Sequence, residues 1–374
     1  MAERKLADEL AGLDPALTAQ LTAAGFDPQR LLRWAARIDG GSEQNRVTGV
    51  VEPPASVDLA APPPAGSKEA EALAGDGLRA LATGQLALVV LAGGMATRMG
   101  GVVKALVEAL DGRTFLDLRL AERAHWSSVA GTPLPLWLMT SAATDAGVRE
   151  AVSARPQGDG VEVFEQDASL RLTPEGGLFR DADGAPSVYA TGHGDLPDAL
   201  ARSGLLERFL AGGGRYLWIA NLDNLGAGVD PLLLGWHAAQ SNPLTVEVVS
   251  KEGDTGGIPV RWDGRPVVLE EFRLPVGFDA STVPVFNTNT LLVDAAALQA
   301  LDMPWTYFTV RKEVDGLPAV QFERLIGELT SGLDTRFLMV PRSGPGSRFL
   351  PVKDPGELEL RQPEIAARMA AILD

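Results

Sequence analysis

The sequence predicts an α/β fold whose mostly parallel, mixed sheet is covered by helices on both faces. Three observations carry that expectation. From residue 86 onward, apolar runs of strand length alternate with helix-length segments. Several of these runs are almost continuously apolar, as strands buried between two helical layers are. The polar and glycine-rich positions fall at the carboxyl ends of the runs, where open α/β sheets bind ligands: Gly93-Gly94, Thr140-Ser141, Gln166 and Asn221–Asn224.

With 374 residues, 45% of them hydrophobic and 22% charged, the chain can bury a large core. It reads as an N-terminal helical segment (1–83) followed by one larger domain (84–374). Within the first segment, Leu6, Leu10, Leu13, Leu17, Leu21, Leu31, Leu32, Trp34 and Ile38 follow helical spacing. Pro15 and Pro28 sit at helix starts, each behind an aspartate suited to capping. The proline-rich stretch 51–67 is a linker or an extended strap, and a helix over 68–83 leads into the first strand. Strands are expected at 86–92, 134–140, 161–166, 215–222, 245–251, 266–273, 283–293 and 336–341. Helices are expected at 114–126, 144–154, 195–212 and 318–331, with another beginning near Gly100.

Composition narrows the function. A formal charge of −16 argues against nucleic acid or an anionic membrane as partner. No apolar stretch reaches membrane-spanning length, and the charged, helical start MAERKLADEL is unlike a signal peptide. The absence of cysteine excludes disulfides and thiolate metal sites and fits a cytoplasmic enzyme. Three histidines (His125, His193, His237) make a multi-histidine metal centre implausible. In so acidic a chain, an anionic ligand requires local concentration of cations, so lysines inside motifs carry weight.

The run LALVVLAGGMATRMG (86–100) is a buried strand breaking into paired glycines. Gly93 and Gly94 let backbone N–H groups approach a polyanion, and Arg98 and Lys104 can neutralise its charge; a turn needing glycine only for tight geometry is the competing reading. NLDNLG (221–226) sets Asp223 just past another buried strand, either as a hard oxygen ligand for Mg²⁺ or as the cap of an Asx-rich turn. Asn221 and Asn224 can hold that turn or bond a sugar hydroxyl. TGHGDL (191–196) places glycines around His193, which can donate to a phosphate or sugar oxygen or merely support its loop, and Asp195 suits an N-cap. FNTNT (286–290) offers the amides of Asn287 and Asn289 on one face of an extended segment, for sugar hydroxyls or for their own backbone. Glu270 is a hydroxyl acceptor or an ordinary strand-end carboxylate, and Lys353 emerges from an apolar run to meet an anion or a structural ion pair. Met139 and the tryptophans read as core.

Taken in order, these segments resemble the uridylyltransferase family that makes UDP-glucose from UTP and glucose 1-phosphate, in its eukaryotic-type branch. The resemblance runs from about residue 86 to 362 through LAGGMATRMG, DGRTFLDL, LMTSAATD, FEQ, GHGD, IANLDNLGAGVD, LEEFRLP, FNTN, VDGLPAVQFE and the split VPRS…SRFLPVKD. It implies a Rossmann-like, glycosyltransferase-A-like nucleotidyltransferase fold. It also implies that Gly93, Gly94, Arg98 and Lys104 contact UTP phosphates and that Gln166 and Gly192 read the base beside Met139. Asp223 would bind Mg²⁺, His193 would lie on the sugar-phosphate side, Asn221, Gly257, Glu270, Asn287 and Asn289 would hold the sugar, and Lys353 would contact both substrates' phosphates. No general base is implied, because a sugar phosphate is already an anionic nucleophile.

The chain departs from the family pattern. Ala96 stands for a glycine, Val103-Lys104-Ala105 for Pro-Lys-Gly, Ala190-Thr191 for two prolines and Thr255-Gly256-Gly257 for Lys-Gly-Gly. Gly344 to Gly346 plus one serine are inserted within the PRSRF signature, and the sequence ends about where the family's C-terminal β-helix begins. UTP with glucose 1-phosphate is the leading substrate pair. One glutamine can read uracil or guanine, so GTP with a sugar-like or cyclitol 1-phosphate is an alternative, and a non-catalytic sugar-nucleotide binder is another. A monomer or dimer is expected.

Overall fold

Eight strands line up in the order β1-β14-β8-β11-β7-β2-β3-β4 to form the central sheet. In chain order these are β1 (Leu59–Ala60), β2 (Leu86–Leu91), β3 (Leu136–Thr140), β4 (Val161–Glu165), β7 (Tyr216–Asn221), β8 (Leu244–Ser250), β11 (Val285–Asp294) and β14 (Thr335–Met339). The computed structural model describes residues 2–38, 42–344 and 346–373, so Pro345 of the insertion lies outside the described residues. Strand β2 pairs parallel with both β7 and β3, β3 pairs parallel with β4, and β11 alone runs antiparallel, between β7 and β8. The chain therefore leaves β2 toward β3 and β4 and later returns to its other side. That reversal of strand order opens the crevice in which doubly wound sheets bind ligands. The expected strands lie within a few residues of the observed ones.

The sheet separates two cores. On one face, Leu88, Val90, Leu136, Leu138 and Trp218 pack with α4 (Lys68–Ala82), α5 (Phe115–Ala130), α9 (Pro231–Ala238) and α12 (Pro355–Leu373). On the other, Val89, Met139, Leu217, Ile219 and Val248 pack with α7 (Leu196–Ser203), α8 (Leu205–Ala211) and the hairpin β9 (Gly257–Trp262) and β10 (Arg265–Glu270). This double covering explains the near-continuous apolar strands. Among the described residues, no helix is long and apolar enough to cross a membrane.

The N-terminal residues form α1 (Ala2–Ala11), α2 (Pro15–Ala23) and α3 (Pro28–Ala35). Asp14 and Asp27 cap α2 and α3 through their carboxylates, as expected. Leu6, Leu21, Leu31, Trp34 and Ile38 share a third core with Leu170, Leu172, Val320 and Phe322. The helices thus bury their apolar face on two small strands, β5 (Ala168–Leu170) and β6 (Val188–Ala190), and on the segment that carries Val320 and Phe322. The proline-rich stretch is an extended strap. Val51–Glu52 extends β9, β1 extends β14, and Asp58 accepts two 2.7 Å hydrogen bonds from Arg261.

Three expectations are corrected. Residues 318–331 are mostly not helical: β12 (Phe308–Val314) and β13 (Leu317–Glu323) form an antiparallel hairpin, and only the short α11 (Leu329–Gly332) follows. The turn is Asp315-Gly316, both at positive φ (52° and 76°), the geometry that joins twisted strands through two residues. No α-helix begins near Gly100. Gly100 and Gly101 take φ of 88° and 75°, which ends a single 3₁₀ turn (Thr97–Met99) and folds Val102–Val103 back onto Met95–Ala96. The helix expected over 195–212 is two helices, parted at Gly204, whose φ is 68°.

Candidate active site

Register across the central strands assembles the site. Leu91 pairs with Asn221 on one side and with Met139 on the other, and Met139 pairs with Phe164. The segments just past these residues, Gly93-Gly94, Ser141, Gln166 and Leu222-Asp223, therefore emerge side by side at one edge. They line a cavity of about 890 Å³, within the size range of small-molecule sites.

The glycine turn decides where Lys104 goes. Lys104 N–H donates to the Gly94 carbonyl (3.2 Å), and its ammonium donates to Asp223 Oδ2 at 2.7 Å. Both side chains are largely buried, so this cation and carboxylate meet in direct contact in the cavity lining. Asp223 caps no helix; Val352 N–H approaches the same oxygen at 3.4 Å. Asn224 serves the structure instead: its Oδ1 accepts from Leu350 N–H (2.8 Å) and its Nδ2 donates to the Arg348 carbonyl (3.2 Å). Arg119, buried on α5, donates to the carbonyls of Asn221 and Asn224 at 2.9 and 2.8 Å and so fixes the turn that presents Asp223.

The cavity lining also contains Met139, Gln166, Gly192 and His193. A Cβ on Gly93 would lie 3.1 Å from Gln166 Oε1, so the glycine admits the amide to the cavity. A Cβ on Gly192 would lie 2.4 Å from the Arg324 carbonyl oxygen, so a glycine is required there by the fold itself. His193 Nδ1 accepts from Ile326 N–H (2.9 Å), and burial pushes its pKa down to about 4. The ring is therefore neutral, with its proton on Nε2, a hydrogen-bond donor rather than a charge. Asp195 does not cap α7: its carboxylate is fully buried and accepts from Thr191, Asp167 N–H and Arg324.

A second cluster lies at the same sheet edge, because β11 runs antiparallel and brings its amino-terminal end there. A Cβ on Gly257 would lie 3.0 Å from Glu270 Oε1 and 3.2 Å from Asn287 Nδ2, so these three groups converge. Asn287 and Asn289 bond each other, Nδ2 to Oδ1 at 2.8 Å, and Asn289 N–H donates to Asn287 Oδ1 at 3.0 Å. Asn289 is not extended: its φ of 57° accompanies an irregular register between β8 and β11. None of these four residues walls the 890 Å³ cavity. Arg98 and Lys353 are exposed and also stand off its wall; Lys353 follows Val352 directly, and its own N–H donates to Glu357 (2.7 Å).

Burial, reinforced by the charge of Glu271, pushes the Glu270 pKa up to about 7. An acid raised from 4.5 when folded contributes stability that is complete below pH 4.5 and lost as pH rises through 7. Glu270→Gln, neutral at every pH, is thus expected to raise the melting temperature relative to the parent at pH 8.5 and to leave it nearly unchanged at pH 4.5. Equal shifts at both pH values in thermal melts would show that Glu270 ionises normally.

Sequence reasoning missed Arg119, Arg171, Tyr189, Lys312, Gln321 and Glu323; all but Arg119 line the cavity. Arg171 donates to Gln321 Oε1 (3.1 Å), Gln321 donates to Glu323, and Lys312 donates to Glu323 (2.9 Å). Three of these come from the β12–β13 hairpin, which the Asp315-Gly316 pair between two β-rich runs could have revealed.

The donor set fits Mg²⁺. Among the described residues, no three histidine or acidic side chains gather as a metal cage. Mg²⁺ commonly takes one or two carboxylates and fills its remaining positions with water and substrate phosphates. Asp223 supplies one such carboxylate, with Oδ1 clear of the Lys104 and Val352 contacts.

A family model described as UTP--glucose-1-phosphate uridylyltransferase matches residues 57–368. A UTP--glucose-1-phosphate uridylyltransferase of Astragalus penduliflorus is 30% identical, the alignment covering 98% of this chain and 79% of that protein. The corresponding enzyme of Hordeum vulgare is 32% identical, covering 88% and 70%. Among solved structures, a UDP-glucose phosphorylase of Trypanosoma brucei superimposes with a TM-score of 0.74 at 22% identity, covering 91% of this chain and 76% of that one. A variant of UDP-glucose pyrophosphorylase from Leishmania major, in complex with UDP-glucose, gives 0.73 at 22% identity, covering 96% and 78%. These structural likenesses show that the chain shares the Rossmann-like α/β fold of those proteins.

Proposed function

The chain belongs to the UTP--glucose-1-phosphate uridylyltransferase family, and from that premise we propose that it condenses UTP with glucose 1-phosphate to give UDP-glucose and pyrophosphate. The observation that carries the reading is the meeting of Lys104 and Asp223 in a cavity whose walls also hold Gly93, Gly94, Gln166 and His193. In the reaction, a phosphate oxygen of glucose 1-phosphate attacks the α-phosphorus of UTP, and the bond to the bridging oxygen breaks as pyrophosphate leaves. The nucleophile is already anionic, so the protein's work is positioning and charge neutralisation.

Each residue has a part in that work. Backbone donors at Gly93 and Gly94, with Arg98 and Lys104, take the triphosphate. Gln166 and Gly192 read the base, with Met139 packed beside it. Asn221, Gly257, Glu270, Asn287 and Asn289 receive the glucose, and neutral His193 donates through Nε2 to a phosphate or sugar oxygen. Asp223 would hold Mg²⁺, whose contribution when bound is to neutralise the triphosphate's charge. Lys353, one residue beyond the backbone that touches Asp223, bridges the phosphates of both substrates from the rim. The absence of cysteine supports a cytoplasmic setting for the reaction.

A matrix of four nucleoside triphosphates against several sugar 1-phosphates, scored by pyrophosphate release, tests the reading. UTP with glucose 1-phosphate is expected to be the best pair, and Lys353→Ala is expected to lose most turnover while keeping its melting temperature. Preference for GTP with a cyclitol phosphate would overturn the substrate assignment; nucleotide binding with no pyrophosphate from any pair would overturn catalysis.

A further inference from the structure

We propose that Arg324 is a positioning residue for the nucleotide subsite, and that the N-terminal helices take part in that positioning through Arg30. The inference rests on the nucleotidyl-transfer reading above. Neither arginine walls the cavity, nor do Asp167 and Asp195, yet their immediate neighbours Gln166, Gly192 and His193 do.

Arg324 follows β13 and is almost completely buried. Its Nε donates to Asp195 Oδ1 at 2.5 Å, and its Nη2 lies 2.6 Å from Asp198 Oδ2 and 3.4 Å from Asp167 Oδ2. The other oxygen of Asp195 accepts from the Thr191 hydroxyl (2.7 Å) and from Asp167 N–H (3.1 Å). One guanidinium therefore ties together the strand end that carries Gln166 and the loop that carries Gly192 and His193. The backbone repeats the tie: Arg324 N–H donates to the Thr191 carbonyl (2.8 Å), and its carbonyl accepts from Gly194 N–H (3.1 Å). The ring planes of Trp305 and Tyr307 face the guanidinium at 4.9 and 5.4 Å and hold its orientation.

Asp167 brings in the N-terminal unit. Arg202 donates to Asp167 Oδ1 at 2.7 Å, and Arg30 of α3 lies 3.5 Å from Oδ2 while donating to the Gly25 carbonyl at 2.8 Å. Ala168 N–H donates to the Ala24 carbonyl (2.9 Å), so the turn between α2 and α3 is bonded to the chain two residues past Gln166. Three carboxylates (Asp167, Asp195, Asp198) thus meet three guanidiniums (Arg324, Arg202, Arg30) behind one wall of the cavity. Arg324, Asp167 and Asp195 are almost fully buried, with Asp198, Arg202 and Arg30 at the wetter edge, so losing one guanidinium leaves a buried carboxylate that must move, protonate or admit water. Each response displaces Gln166 or the Gly192-His193 loop. The sugar cluster at Gly257, Glu270 and Asn287 lies on other strands and stays in place.

The test compares Arg324→Lys, Arg30→Met and Arg30→Lys with the parent, measuring KM for nucleotide and for sugar phosphate together with thermal melts. A lysine cannot reproduce the guanidinium fork, so Arg324→Lys is expected to raise nucleotide KM about tenfold. Arg30→Met is expected to raise it about threefold, and Arg30→Lys to bring it back toward the parent. Sugar-phosphate KM is expected to change less than nucleotide KM in every variant, since His193 is the one sugar-phosphate contact carried on the displaced loop. A lowered melting temperature with unchanged nucleotide KM, or equal changes in both KM values, would overturn the proposal. If Arg324→Lys does not fold, Arg30→Met, at the partly exposed edge of the cluster, decides the matter. The parent's own substrate matrix identifies the nucleotide used, so a wrong substrate assignment and a wrong positioning role give different results.

Discussion

Asp223→Asn is expected to lower kcat about 10²–10³-fold while shifting the melting temperature by no more than ~2 °C. The catalytic loss follows from chemistry. The amide keeps the shape of the carboxylate but removes its charge, and with it the group that in the proposed reaction would hold Mg²⁺. The small stability change follows from geometry. The turn is held by Arg119 on the carbonyls of Asn221 and Asn224, and by Asn224 on the 348–350 backbone, none of which needs the Asp223 charge. Steady-state kinetics with thermal melts separates the two quantities. Retention of parental kcat would remove Asp223 from the mechanism.

Lys104→Met is expected to cost about 10²-fold in kcat, the scale of losing one preorganised charge that stabilises a phosphoryl-transfer transition state. Its backbone is bonded to Gly94 and its ammonium reaches Asp223 in the cavity, in a chain of formal charge −16 where background attraction for a triphosphate is absent. Because Lys104 and Asp223 touch, their effects should not add: the double variant is expected to be little worse than the weaker single. Full additivity in a double-mutant cycle would mean that the two groups act at separate places and that their contact is incidental to turnover.

Much of the candidate site was legible because its residues sit just past strand ends. A buried apolar strand announces where it stops, and β2, β3, β4 and β7 stop one or two residues before Gly93, Ser141, Gln166 and Asp223. Other readings failed where one local pattern suited two structures. The segment 318–331 has apolar residues at spacings a helix would tolerate, and burial of Val320 and Phe322 against the N-terminal helices goes with a strand over its first part. Asp195 looked like a cap because it precedes a helix; only the distant Arg324 shows that its carboxylate turns inward. Arg119 was silent because a cation inside an amphipathic helix normally faces solvent, and here it faces two carbonyls.

What the sequence determined by itself was local: hydrophobic runs of strand length, caps at Asp14 and Asp27, and polar residues at the ends of buried strands. Short-range backbone preferences and the period of apolar burial are written into neighbouring residues and need no partner. What only the tertiary structure decided was pairing across long separations. It set Lys104 against Asp223, 119 residues apart, and Arg324 against Asp167 and Asp195, more than a hundred residues away. Those contacts depend on strand order and register, which arise when the whole core is buried at once, and no single segment encodes them.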